Sequence, residues 1–142
     1  MVVNSRPTRG NSQIWRRRKC ISCKEGFTTY ERMSLSHLIV IKKSGRRQRY
    51  SRAKIYSGIY HSSLDKKNAD KGERGTFAEE VTGRVELEIT KLRRKKIYST
   101  EITEIILRIL AKKEPDTLLR FLAYREGNNL KKLQKLVRKY YK

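Results

Sequence analysis

Cys20 and Cys23 are the only two cysteines of this 142-residue chain, and they stand two residues apart. At that spacing two thiolates on one tight turn take two corners of a tetrahedral zinc site. Such a site needs four ligands, and the same spacing suits a redox pair or two small buried apolar residues. Immediately ahead lies the densest cationic run, Arg16, Arg17, Arg18 and Lys19. Neighbouring cations lower a thiol pKa, so Cys20 is also a candidate nucleophile, second to its use as a metal ligand. A second cationic cluster, Lys42, Lys43, Arg46 and Arg47, surrounds Gly45, with Lys54 shortly after. Clustered cations of this kind are what the phosphates of a nucleotide require. No GxxxxGK[ST] phosphate loop occurs, which argues against ordinary ATP hydrolysis and leaves the nucleotide as a signal. The two histidines, His37 and His61, have no cysteine, serine or carboxylate constellation around them, so the sequence supports no enzyme.

Charge sets the class of partner. Lys and Arg number 36 against 14 Asp and Glu, a formal net charge of +22, while 37% hydrophobic residues suffice for one core. A surface so basic is expected to meet nucleic acid, a nucleotide or an anionic membrane. A basic RNA- or ribosome-associated protein fits the charge equally well. For DNA, the run Arg16 to Lys19 is joined by Arg6, Arg9 and Lys24, and arginine suits both phosphates and guanine edges. On a strand, alternate side chains point to opposite faces, so half of the run is expected to reach DNA. Trp15 is expected to pack on the same unit. No apolar run approaches the ~20 residues of a membrane span; the longest, Leu38 to Ile41, is strand-sized. The N-terminus has no apolar segment of a secretory signal, and together with the cysteine usage this predicts a cytoplasmic protein.

These residues need elements to hold them. Gln13 to Arg18 and Phe27 to Tyr30 read as strands flanking the cysteine turn, with turn chemistry upstream at Asn4 to Pro7 and Arg9 to Asn11. Met33 to His37 reads as a linker. Leu38 to Ile41 and Arg47 to Tyr50 form a hairpin about Ser44-Gly45. Ser51 caps a helix with Ile55 and Ile59 on one face, fading near Leu64. Asp65 to Gly75 lacks periodicity and reads as a mobile loop. Thr76 and Glu79 match a capping box, opening a helix with Val81, Val85, Ile89 and Leu92 on one face and running to about Arg94. Ser99 opens the next, with Ile102, Ile105, Ile106 and Ile109 inward. Pro115 opens another, in which Leu118, Phe121 and Leu122 face inward before Gly127-Asn128 ends it. Leu130, Leu133, Val137 and Tyr140 mark a final helix whose other face carries Lys131, Lys132, Lys135, Arg138 and Lys139. There is no internal repeat.

The stretch VNSRPT..GN..IWRRRKCISCKEGFTTYER resembles the second half of the zinc ribbon of NrdR, a family of bacterial repressors of ribonucleotide reductase genes. IVIKKSGRRQRYSRAKI resembles the opening of the ATP-cone, a helical nucleotide-binding module, with RVE at Arg84, STEI at Ser99 and RF..YR at Arg120 as later signposts. Ribbon followed by cone is the order in that family. The resemblance implies an α+β protein: a truncated N-terminal zinc-ribbon β unit followed by a mainly helical ATP-cone with a β-hairpin. The expected divisions are 1–34, a partial zinc ribbon that binds DNA; 38–126, the nucleotide-binding cone; and 127–142, a basic C-terminal helix.

In the family a first CxxC lies just before the segment matching Val2 to Pro7, and only the second pair is present here. Either the reading begins downstream of the first knuckle or that knuckle is lost. Zn²⁺ held by Cys20 and Cys23 alone is expected to be weak or shared between subunits. By the resemblance, Val40, Lys42, Lys43, Gln48 and Lys54 touch ATP or dATP, with Tyr50 beside them. Gln48 replaces the usual glutamate and Leu118 the usual tyrosine, which implies altered base or sugar recognition. The implied function is a nucleotide-sensing repressor that binds double-stranded operator DNA as a homo-oligomer in the bacterial cytoplasm, at the nucleoid. The competing readings are an RNA- or ribosome-associated binder without sequence specificity, and a detached cone regulating a reductase.

Overall fold

Three short strands follow one another at the N-terminus of the computed structural model, which describes residues 1–8, 13–64 and 70–141. β1 (Val2–Pro7), β2 (Ile14–Lys19) and β3 (Gly26–Glu31) form an antiparallel sheet in the order β1-β2-β3. Asn4 to Pro7 is therefore strand, where turn chemistry was expected. β-Branched Val2 and Val3 start an edge strand, and Pro7 is tolerated at its end because an edge position needs no second ladder bond. The expected turn at Arg9 to Asn11 lies outside the described residues. No residue of these three strands is buried.

The core begins at Leu35, which is 7% exposed inside the segment expected to be a plain linker. The Leu38 amide donates to the Leu35 carbonyl at 2.9 Å, a tight turn that sends both side chains inward. β4 (Ile39–Ile41) and β5 (Arg47–Arg49) make the expected hairpin. Gly45, at φ 83°, takes the left-handed position that a turn this tight requires. A third strand, β6 (Lys96–Tyr98), pairs in parallel with β4 and was not anticipated. The sheet order is β5-β4-β6.

Five helices among the described residues pack on one another beside this sheet, with α3 against β6. α1 (Arg52–Ser63) begins after Ser51, whose side chain makes no capping bond. α2 (Lys71–Lys91) starts earlier than the sequence suggests, because the Asp70 carboxylate accepts from the amides of Gly72 and Glu73 at 2.9 and 3.2 Å. Two orphan donors are thereby satisfied, and Thr76 lies inside the helix, donating back to the Gly72 carbonyl. The loop expected over Asp65 to Gly75 is thus helical from Lys71 onward, and its 65–69 part lies outside the described residues. α2 ends where Arg93 turns to φ 52°, leaving Leu92 exposed rather than on the buried face.

α3 (Ser99–Lys113) opens with Glu101 accepting from the Tyr98 amide at 2.9 Å. α4 (Pro115–Glu126) has Pro115 in its first turn, where a missing N–H costs nothing. α5 (Leu130–Tyr140) lays Leu133, Leu136, Val137 and Tyr140 against the core, while Leu130 stays 69% exposed. Ile59, Val81, Val85, Leu110 and Leu118 are fully enclosed between the helices. The architecture is α+β, an N-terminal β unit followed by a mainly helical one with its own small sheet.

Candidate functional site

The hairpin turn, the strand after it and the first turn of α1 aim their side chains at one place. Val40, Lys42, Gln48, Tyr50 and Lys54 together line a narrow cleft closed on the far side by Ser99, Ile102 and Thr103 of α3. Val40 of β4 pairs with Gln48 of β5, and Lys42, one residue past β4 and two from Val40, lines the same cleft. Lys54 Nζ donates to Gln48 Oε1 at 3.2 Å, fixing the amide that replaces a carboxylate. The cleft itself measures about 70 Å³ and adjoins one of about 660 Å³ between α1 and α4. Lys54, Ile55, Ile106 and Arg125 line both. The larger cleft has Phe121 and Tyr124 on its wall, so a cationic end leads into an apolar, aromatic one.

Two expected site residues behave differently. Tyr50 is buried at 6% exposure, and its hydroxyl donates to Glu86 Oε1 at 3.0 Å. Burial, then the Glu86 carboxylate beside it, pushes this hydroxyl far above the usual tyrosine range. Arg52 bridges the same Glu86 and Glu79, so Arg52 ties α1 to α2 and Tyr50 ties the end of the hairpin to α2 while lining the cleft. Lys43 does not line the cleft; it faces Glu126 at 3.8 Å, and Glu126 also accepts from Lys132 of α5 at 2.6 Å. The Lys132 contact holds the Glu126 carboxyl below its usual range. Leu118, at the position of the expected departure, is fully buried in the core and is not part of either cleft's lining. Arg125 lines both clefts but enters the sequence reading only through the RF..YR resemblance. Only tertiary packing brings it to the hairpin.

The first sheet divides its cations between two faces. Arg16 and Arg18 share one face with Phe27, Thr29 and Glu31. Arg16 donates to Glu31 and Ser5 at 3.2 Å each, and Arg18 to Thr29 at 3.0 Å. Arg17, Lys19 and Arg6 occupy the other face, where the Arg6 guanidinium lies 4.7 Å over the Trp15 ring and Arg17 donates to Thr28. Trp15 is half-buried under that contact. Lys24, at the cysteine turn, donates from Nζ to the Ile21 carbonyl at 2.8 Å.

The cysteine turn is closed by its own backbone. The Lys24 amide returns to the Cys20 carbonyl and the Cys20 amide to the Glu25 carbonyl, with Lys24 held at φ 62°. The Cys23 amide, then the Cys23 thiol and the Ser22 amide, draw the Cys20 thiol below the usual cysteine range. Thiolates on one turn with amides aimed at sulfur fit zinc, and Cys20 and Cys23 would hold two of its corners. Among the described residues no cluster of three or more His, Cys, Asp or Glu side chains stands ready for a metal. The Met1 amino group donates to the Lys19 carbonyl at 3.0 Å, so the beginning of β1 lies beside this turn. His37 and His61 are both exposed. No described helix is long and apolar enough to cross a membrane.

Comparison with known proteins agrees with both halves. Residues 1–31 match the N-terminal domain described as transcriptional repressor NrdR-like, and residues 38–130 match the ATP cone domain. The protein named transcriptional repressor NrdR in Finegoldia magna is 33% identical over 97% of this chain and 89% of its own length. The protein of that name in Streptococcus sanguinis is 34% identical over 96% of this chain and 85% of its own. One from a Thermoanaerobacter species is 34% identical over 91% and 79%. All three are named as repressors rather than enzymes. With both domain types in sequence order and similarity running nearly end to end, the chain belongs to the NrdR family of transcriptional repressors.

Proposed function

We propose that the chain is a nucleotide-sensing repressor of ribonucleotide reductase genes, in which ATP or dATP in the hairpin cleft changes how ribbons are presented to operator DNA. The convergence of Lys42, Gln48 and Lys54 on one cleft, with an apolar aromatic chamber behind it, carries this reading. The two lysines meet phosphates, Gln48 offers a neutral amide to sugar or base, and Phe121 and Tyr124 receive the ring. Lys43 joins the phosphates only by leaving Glu126. On the ribbon, Arg6, Arg16, Arg17, Arg18, Lys19 and Lys24 supply phosphate and base contacts, and zinc on Cys20 and Cys23 would clamp the β2–β3 turn. Paired operator sites call for a symmetric oligomer, and linkage requires DNA and nucleotide to alter each other's affinity equally.

A chain this basic binds any nucleic acid at low salt by releasing counterions, so binding alone decides nothing. The test is competition of a reductase-promoter fragment against random DNA and structured RNA at physiological salt, with ATP or dATP present. The promoter fragment should win, and the two nucleotides should give different affinities and oligomeric states. Replacing Arg16, Arg17 and Arg18 with alanine should abolish that preference and leave nucleotide binding intact. Lys54→Ala should weaken ATP binding about tenfold by calorimetry, as expected for one charge-assisted phosphate contact, and leave ribbon contacts untouched. A preference for RNA, or indifference to both sequence and nucleotide, replaces this reading with that of an RNA-associated binder.

A further inference from the structure

Most of the net charge of +22 lies beyond the ribbon, and the lysines of the hairpin cleft account for little of it. The small sheet places more. Gln48, Val40 and Ile97 pair across its three strands on the inner face, where Val40 and Ile97 are buried. The strand period of two therefore turns the flanking rows outward: Arg49, Ile39 and Lys96 in one, Arg47, Ile41 and Tyr98 in the other. Arg47, Arg49 and Lys96 are exposed, Tyr98 is 54% exposed, and the two isoleucines are half-buried between them. Arg49 also borders the hairpin cleft.

Along β6 this outer face continues into the turn after α2, where every residue from Lys91 to Lys96 is exposed and Arg93 sits at φ 52°. The carboxylates beside the turn are already taken, Glu88 by Lys91 at 2.7 Å and Glu101 by Arg94 at 2.6 Å. No carboxylate stands in either outward row. Among the described residues, the side chains of Arg47, Arg49, Arg93, Lys95 and Lys96 have no ion-pair, hydrogen-bond or ring partner. A helix dipole favours cations at its C-terminal end, but that effect fades within the last turn; it accounts for Lys91 and Arg93, not for Lys96, Arg47 or Arg49. An extended polyanion is what such a surface fits. A single-stranded nucleic acid calls for successive aromatic rings, and Tyr98 is the only one in the two rows. A duplex backbone calls for cations and hydroxyls alone.

We propose that the outer face of the β5-β4-β6 sheet, with the turn between α2 and β6, is a second contact surface for duplex DNA, holding the phosphate backbone while the ribbon reads bases. That the duplex is operator DNA rests on the repressor reading above; the backbone contact does not. The test uses the full chain, with promoter and random duplexes titrated across a salt series and followed by fluorescence anisotropy. Arg93→Gln, Lys95→Gln and Lys96→Gln together should lower the slope of log affinity against log salt by about 2–3 on both duplexes. The ratio of promoter to random affinity should stay as it was, because backbone contacts carry no sequence information. ATP binding should also be unchanged, since none of the three lines the hairpin cleft. Removing as many charges from α5, by Lys131→Gln, Lys135→Gln and Arg138→Gln, should lower the slope by about 1 at most. An unchanged slope in the first variant overturns the proposal. An equal fall in the α5 variant does so too, since net charge alone would then be responsible, as does a fall seen on single-stranded RNA and not on the duplexes. If the wild-type chain shows no promoter preference while the slope still falls in the first variant alone, the repressor reading fails and this surface stands.

Discussion

The two halves of this molecule are stabilised by different means. Among the described residues from Leu35 onward, eighteen apolar side chains are buried and Ile59, Val81 and Leu110 touch no solvent. Among the described residues from β1 to β3, nothing is buried, and Phe27, Tyr30 and Val3 are open to water. Apolar burial is the dominant favourable term in folding, so the helical unit carries its own stability. A three-stranded sheet without a packed face needs something outside itself, and the small scaffolds that manage it use a metal, a disulfide or a partner. The contrast leaves the β unit dependent on something other than a packed core. It also explains why the ribbon's cations are held by one another's neighbours, Ser5, Thr28, Thr29 and Glu31, rather than by packing.

The largest expected effect sharpens this contrast. Leu110→Ala leaves a cavity at a fully enclosed position and should cost about 2–5 kcal/mol in denaturant unfolding followed by helical circular dichroism. The Trp15 signal of the ribbon should be unchanged. If Trp15 responds in parallel, the two regions unfold as one and the contrast fails.

A smaller effect concerns Tyr50, which ties the hairpin to α2. Its hydroxyl pKa is raised in the fold, so the neutral form contributes stability in full below the ordinary tyrosine range, near pH 10. That contribution is lost as the pH rises above it, at about 1.4 kcal/mol per unit. Tyr50→Phe removes the ionisable group and should flatten this alkaline decline. At neutral pH it should cost about 1 kcal/mol for the lost bond to Glu86. Urea titrations at pH 7 and pH 11 on both proteins decide it, and an alkaline decline of equal slope in the two would show that Tyr50 titrates normally.

Smallest is Arg6→Ala. An exposed cation over an aromatic ring is worth about 0.5–1 kcal/mol, so the global melting transition should not move, while promoter affinity and its salt dependence should both fall. A shifted melting transition would mean that the Arg6–Trp15 contact acts as core, and the ribbon would no longer count as unpacked.

Local signals were legible and distant ones were not. Ser44-Gly45 between β-branched and basic runs defines the hairpin, and with the start of α1 it brings Lys42, Gln48 and Lys54 to one side; both are decided within a dozen residues. Pro115 likewise announces α4. β6 escaped because three residues, Lys96 to Tyr98, carry no period of their own and become a strand only by pairing with β4. Thr76 with Glu79 looked like a helix start, but Asp70 offered a carboxylate to two amides, and a satisfied cap one and a half turns earlier overrode it, despite Gly72 and Gly75. The strand at Val2 to Pro7 was masked by Asn4, Ser5 and Pro7, whose turn preference gives way when a neighbouring strand supplies partners. Nothing in the local sequence could reveal that Glu126 takes Lys43 away from the cleft, or that Arg125 lines it.

The parallel pairing of β4 with β6 has a consequence in time. The β4–β5 hairpin can close on itself early, but its other neighbour is separated from it by all of α1 and α2, and long-range parallel pairing forms late because loop closure must precede it. Ser99, Ile102 and Thr103, which wall the hairpin cleft, follow directly on β6. The cleft therefore exists only in a chain whose helices have already docked. On the ribosome, a nascent chain can present Lys42, Gln48 and Lys54 together but lacks the wall opposite them until β6 and α3 have docked.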